Sequence, residues 1–115
     1  MIQTVNIKEL PPKSAGFRVL VMRKWPRGIP REAIDLWAKD LGPSPELLKD
    51  LKKNKISLAG FYGRYRAETS EPSRREVVFD LQRRILAGVT LILCCDTDDE
   101  KAAARTVLKE ILETS

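Results

Sequence analysis

Histidine is absent from this 115-residue chain. That absence removes Ser-His-Asp and Cys-His activation of a nucleophile, and it removes imidazole as a metal ligand. It also leaves no side chain whose ordinary pKa lies near neutrality. Acid–base chemistry would need a shifted carboxylate, cysteine or lysine. Cysteine is scarce. Only Cys94 and Cys95 occur, and they are neighbours. Alternation along a strand points neighbours to opposite faces, so no disulfide framework is expected, as suits a reducing compartment. The chain has no apolar run long enough to span a bilayer and no charged-then-apolar leader. A cytoplasmic protein without a membrane partner is therefore expected. A P-loop, a glycine-rich dinucleotide turn, zinc-ligand spacing and the common RNA-binding motifs are all missing. No cofactor and no metal are expected.

The composition is that of an ordinary globular domain, 43% hydrophobic and 32% charged, and the length suits one domain over residues 1–115. Net charge is +5, spread unevenly. Residues 1–89 hold 18 Lys and Arg against 10 Asp and Glu, whereas residues 90–115 hold 3 against 6. No acid stands between Glu9 and Glu32, while Lys13, Arg18, Arg23, Lys24, Arg27 and Arg31 all do. A second basic stretch contains Lys49, Lys52, Lys53, Lys55, Arg64 and Arg66. Such asymmetry suggests an anionic partner, although lysines on helix faces also serve simply to solvate a protein.

Periodicity assigns the elements. Residues 2–8 read as a half-buried outer strand and residues 17–22 as a more buried one. Pro30 opens a short helix through Ala33. Asp35–Leu41 fits either a continuation of that helix or extended chain. Ser44 is placed as an N-cap with Pro45 at the first helical position, and that helix is expected to fray near Asn54. A helix over 57–68 sets Phe61 and Tyr65 on one face. Ser73–Glu76 fits a capping box, Val77, Val78, Leu81 and Ile85 form an apolar stripe, and Gly88 ends the helix. Val89–Cys95 reads as a central strand buried on both faces. Thr97–Glu100 fits another capping box. It opens a last helix with Ala103, Ala104, Val107, Leu108, Ile111 and Leu112 on its inner face. Long helical connections between strands predict an α/β fold: a small single-domain three-layer arrangement with a mainly parallel sheet flanked by helices. The 17–22 and 90–95 strands should pair in parallel.

Val19-Leu20-Val21-Met22-Arg23-Lys24-Trp25-Pro26-Arg27-Gly28 resembles the V-D-R-x-W-P-R-G signature of the YeaO-like proteins, the family of domain of unknown function 488. The similarity continues through Asp35, Trp37, Lys39 and Asp40, then Pro43-Ser44 with Glu46-Leu47. It extends through Phe61, Tyr65 and Glu68, which match an F-x-x-x-Y-x-x-E pattern, to Thr90-Leu91-Ile92-Leu93. It spans about residues 17–112. The resemblance implies a compact α/β fold and no particular activity. Three residues depart from the family pattern: Met22 stands in place of Asp, Leu48 in place of Arg, and Ala104 near a late His.

Arg23, Trp25, Arg27 and Gly28 form the leading candidate site. Guanidinium forks match phosphate or carboxylate, Gly28 permits close backbone approach, and Trp25 can stack on a ligand. Lys39 is a candidate third cation. The same residues serve equally as a packed cover, with Arg27 paired to Asp35 or Asp40. Cys94, Asp96 and Asp98 are secondary candidates for a thiol or carboxylate site beside the basic loop. Acids near a helix start are more simply capping residues. Glu100 lies six residues after Cys94 and Lys101 six after Cys95, so the phosphatase spacing of Cys, five residues and Arg is absent. Arg64 and Tyr65 can hold phosphate and stack on a base, or lie solvated and in the core respectively. The leading expectation is a binding module for a phosphate-bearing or other anionic small ligand at the Arg23–Gly28 loop. The alternatives are a nucleic-acid-binding protein using surfaces 13–31 and 49–66, and an enzyme with Asp96 or Asp98 near Arg23.

Overall fold

The β-branched and aliphatic segments fold, in the computed structural model, into one four-stranded parallel sheet of order β1-β4-β2-β3. The described residues are 1–95 and 99–113, side chains at 99–104 excepted. The strands are β1 (Ile2–Asn6), β2 (Phe17–Leu20), β3 (Leu36–Trp37) and β4 (Leu91–Cys95). Strand β4 is central because all five of its residues are apolar and buried, and only a strand covered on both faces accommodates that run. It pairs with β1 from Ile2↔Leu91 to Asn6↔Cys95 and with β2 from Phe17↔Leu91 to Leu20↔Cys94. The expected parallel pairing of the 17–22 and 90–95 segments is therefore present.

Four α-helices complete the fold: α1 (Pro45–Lys52), α2 (Leu58–Thr69), α3 (Pro72–Leu86) and α4 (Asp99–Glu113). They pack on one another and on the sheet face carrying Phe17, Val19, Leu91, Leu93 and Cys95. Arg84 of α3 lies over the Phe17 ring, 4.2 Å from its centroid. The opposite face carries Arg18, Leu20, Ile92 and Cys94, and irregular chain with short 3₁₀ turns covers it. Arg18 shows which segments these are: its guanidinium donates to the carbonyls of Ala33 and Pro11. The three layers are thus unequal, α-helices on one side and the 7–16 and 21–35 segments on the other.

Several boundaries differ from expectation for identifiable reasons. Strand β1 stops at Asn6, whose side chain accepts from the Lys8 N–H and starts a 3₁₀ turn at Ile7. Strand β2 ends at Leu20, although the Val21 N–H still donates to the Cys94 carbonyl at 3.0 Å. The short helix at Pro30 is a single 3₁₀ turn, Arg31–Ala33. The ambiguous Asp35–Leu41 segment is extended at Leu36–Trp37, where it pairs with β2, and then turns through Lys39–Leu41. The capping box at Ser73–Glu76 is absent. Helix α3 begins two residues earlier than that box implies, with Pro72 at its first position, Glu71 as N-cap and no side-chain cap bond. Proline's fixed φ is already helical and its missing N–H costs nothing there, so Pro72 sets the start and places Ser73 inside the helix. The Thr97–Glu100 box lies outside the described residues.

Other local expectations hold. Ser44 caps α1 by accepting from the Leu47 N–H; the helix expected from residue 57 starts one residue later, with Ser57 as its N-cap accepting from the Gly60 N–H. Gly88 follows α3 with a positive φ of 90°, the left-handed turn that glycine adopts without a Cβ clash. Phe61 and Tyr65 are fully in the core, and their rings stack with centroids 6.1 Å apart. Among the described residues, no helix is long and apolar enough to cross a membrane.

Candidate functional site

Four parallel strands point their carboxyl ends the same way. Chain leaving β2 runs toward β3, whereas α4, which follows β4, packs back over β1 and β4. The connections therefore diverge between β2 and β4, the position where open α/β sheets leave a crevice for ligands. Val21, Met22 and Arg23 emerge there from β2, and Cys95 ends β4 beside them.

Arg23 is half-buried. Its Nε donates to the Gly42 carbonyl at 3.0 Å, which fixes the guanidinium. One of its terminal nitrogens is buried with no hydrogen-bond partner. Arg23 and Lys24 line a cavity of about 170 Å³ together with Val21, Met22, Pro43, Pro45 and Leu48. Met22 and Leu48, two of the departures from the family pattern, are thus two walls of one cavity.

The other expected site residues are not brought into that cavity. Arg27 is exposed and lines a separate hollow of about 250 Å³ with Ile7, Lys8, Pro26 and Ile29. Among the described residues it has no ion-pair partner, so the pairing with Asp35 or Asp40 considered above does not occur. Asp35 instead accepts from the Arg18 N–H at 2.8 Å. Gly28 sits exposed at the turn with a φ of 78° and nothing near its Cα face. Lys39 lies over the Trp37 ring, 5.5 Å from its centroid, and lines a third hollow.

Trp25 is committed to packing. Its Nε1–H donates to the Ile29 carbonyl at 2.8 Å and closes the turn. It meets Trp37 edge to face at 5.4 Å, and Arg31 lies over its ring. Trp37 in turn donates to the Met22 carbonyl at 2.7 Å. The two indoles thereby brace the loop that carries Arg23.

The secondary candidates separate. Tyr65 is 1% exposed and its hydroxyl donates to the Leu41 carbonyl, so its ring is core. Burial raises its phenol well above the ordinary range, with the neighbouring Cys95 and Glu68 acting in the same direction. Arg64 is exposed and pairs with Asp50 at 2.8 Å. That bond is the main reason the Asp50 carboxyl lies below its usual value. Cys94 is wholly buried, and burial pushes its thiol up to about 11, the wrong direction for a nucleophilic thiolate. Asp96 and Asp98 lie outside the described residues. No cluster of three or more metal-ligating side chains occurs among the described residues. Within the basic 13–31 stretch Arg18 is only 7% exposed and serves the interior, so it is unavailable to a nucleic acid. In the 49–66 stretch, Arg64 and Arg66 pair with Asp50 and Glu110.

Sequence reading missed Glu68 as an organiser of this end of the sheet. Its carboxylate accepts from both the backbone N–H and the hydroxyl of Ser44, at 2.9 and 2.5 Å. Arg74 also binds the Glu68 carbonyl. Ser44 follows Pro43, so this grip holds one wall of the Arg23 cavity. An acid three residues after a buried tyrosine was the available signal, but its partner lies 24 residues away.

The family model described as the active DUF488-N3 subclade matches residues 2–115. The uncharacterized protein YeaO of Escherichia coli (strain K12) is 38% identical over 72 residues, a match covering 61% of this chain and 63% of YeaO. The chain therefore matches less than two thirds of that relative's length. No solved structure matches it.

Proposed function

Because this chain belongs to the active DUF488-N3 subclade, whose description names no substrate, we propose a function from the geometry: a binding module for an anionic small ligand at the Arg23–Gly28 loop. Arg23 carries this reading. It stands at the β2/β4 divergence, lines the cavity there, and is fixed in place by its Nε bond to the Gly42 carbonyl. A guanidinium held in place at the edge of a cavity is a preorganised partner for an anion. Lys24 adds a second cation to the same cavity. Arg27 and Lys8 in the neighbouring hollow raise the local potential without touching the same ligand.

A thermal-shift comparison tests it, since a ligand that prefers the folded state raises the melting temperature. Inorganic phosphate, phosphorylated metabolites, nucleotides, small carboxylates, short DNA and short RNA are screened at low and moderate salt. Wild type is run beside Arg23→Ala and Arg27→Ala. A small-anion shift that Arg23→Ala abolishes is the expected result. An unchanged shift in both variants overturns the reading. A shift with nucleic acid alone, collapsing steeply with salt, replaces it with a nucleic-acid function.

A further inference from the structure

The Arg23 cavity constrains what kind of anion fits. Its volume of about 170 Å³ is close to that of dry cavities that take benzene, about 150 Å³. Apart from Arg23 and Lys24, its walls are Val21, Met22, Pro43, Pro45 and Leu48. None of those five side chains carries a hydrogen-bonding group beyond the weak acceptor sulfur of Met22, and the two prolines lack even a backbone N–H. A nucleobase or sugar placed there would leave its polar edges unmet. A hydrocarbon body would not. Met22 further suits an aromatic ring, because its thioether is polarisable and packs well on ring edges.

The cationic side is equally limited. Arg23 has its Nε occupied by Gly42 and one terminal nitrogen buried, which leaves its other terminal nitrogen for a ligand. One terminal guanidinium nitrogen and one flexible lysine match the two oxygens of a planar monoanion. A phosphate dianion would bring a third oxygen and a second charge against an apolar wall, with no donor to compensate.

We infer that the ligand of this site is a small carboxylic acid with a compact, benzene-sized hydrocarbon body. The body lies among Val21, Met22, Pro43, Pro45 and Leu48, and the carboxylate meets Arg23 and Lys24 at the mouth. This rests on the anion-site reading above and narrows it to one ligand class.

The test titrates the full chain with benzoate, phenylacetate and cyclohexanecarboxylate, beside benzamide as a neutral isostere and inorganic phosphate and AMP as polar anions. Leu48→Phe fills the cavity from the half-buried side of α1, and Arg23→Gln removes the charge. Methyl NMR of Val21, Met22 and Leu48 reports ring-current shifts directly, so the location is read in wild type even if a variant folds poorly. At least one carboxylate should bind, shift those methyls, and weaken about tenfold or more in each variant and in the amide. Arg23-dependent binding of phosphate or AMP without any of the carboxylates overturns the ligand class and leaves the anion site standing. Equal binding of benzoate and benzamide, or no Arg23-dependent binding of any probe, overturns both.

Discussion

Ser44 and Glu68 are joined twice: the serine N–H and hydroxyl both donate to the one carboxylate, at 2.9 and 2.5 Å. The same hydroxyl accepts from the Leu47 N–H, so a single serine caps α1 and ties it to α2. Hydrogen bonds to a charged acceptor are the stronger kind. Glu68→Ala should therefore cost about 2–3 kcal/mol. Ser44→Ala should cost about 1–2 kcal/mol through the lost cap. Urea unfolding of the two single variants and the double variant should show clear non-additivity, because the partners share one interaction. Additive costs would mean the two residues act separately.

The two tryptophans give a second prediction. Trp37→Phe keeps a ring but leaves the Met22 carbonyl without its donor, which should cost about 1–2 kcal/mol. The Trp25–Trp37 edge contact adds about 0.5–1.5 kcal/mol. Trp25→Phe should likewise destabilise, since it opens the bond to Ile29. Near-UV circular dichroism should lose intensity in either variant. An exposed ligand platform would instead leave stability unchanged.

Alkaline pH should weaken the fold in two overlapping steps. Burial pushes the Cys94 thiol from 9.0 up to about 11 and raises the Tyr65 phenol above its ordinary 10.0. In both cases the unfolded chain loses its proton first. The unfolded state then binds fewer protons than the folded one, so stability falls as pH rises. It should hold up to about pH 9 and decline from there, the Cys94 part through about pH 11 and the Tyr65 part continuing to higher pH. Cys94→Ala should remove the earlier part of that decline and Tyr65→Phe the part that starts above about pH 10. Denaturant titrations across that range check it, and a profile unchanged by Cys94→Ala would contradict the assignment.

Two glycines should respond in opposite directions to alanine. A Cβ on Gly16 would lie 2.6 Å from the Thr90 carbonyl oxygen, which is held by the pairing of Phe17 at the start of β2. Gly16→Ala should therefore cost about 1–3 kcal/mol. Gly63 lies within α2 with open space at its Cβ position. Gly63→Ala should stabilise by about 0.5–1 kcal/mol, because alanine restricts the unfolded chain and favours helix. Thermal melts of both variants give the comparison.

Local chemistry made much of the fold legible. Ser44 before Pro45, Gly88 after α3 and the unbroken apolar run of β4 each act within a few residues, and each appears where the sequence places it. Ser73 failed because Pro72, one position earlier, is the stronger start signal. At the candidate site, the basic loop that follows a buried strand was legible. Its membership was not: Arg23 and Lys24 share one cavity, while Arg27 and Lys39 face two others. Charge along a chain does not say which way a side chain turns once neighbouring segments cover it. Arg18 shows the extreme, a cation in a basic run that is buried against two backbone carbonyls.

By itself, then, the sequence determined the parallel α/β class, the central strand, the capped start of α1 and the loop that follows β2. These follow from periodicity, caps and backbone preferences that operate over one or two turns of chain. Only the tertiary structure decided that Ser44 would meet Glu68, that Trp25 and Trp37 would brace the loop, and that Met22 and Leu48 would wall one cavity with Arg23. Those pairings join residues far apart in the chain. They depend on which crossover passes over which strand, a relationship that no local pattern encodes.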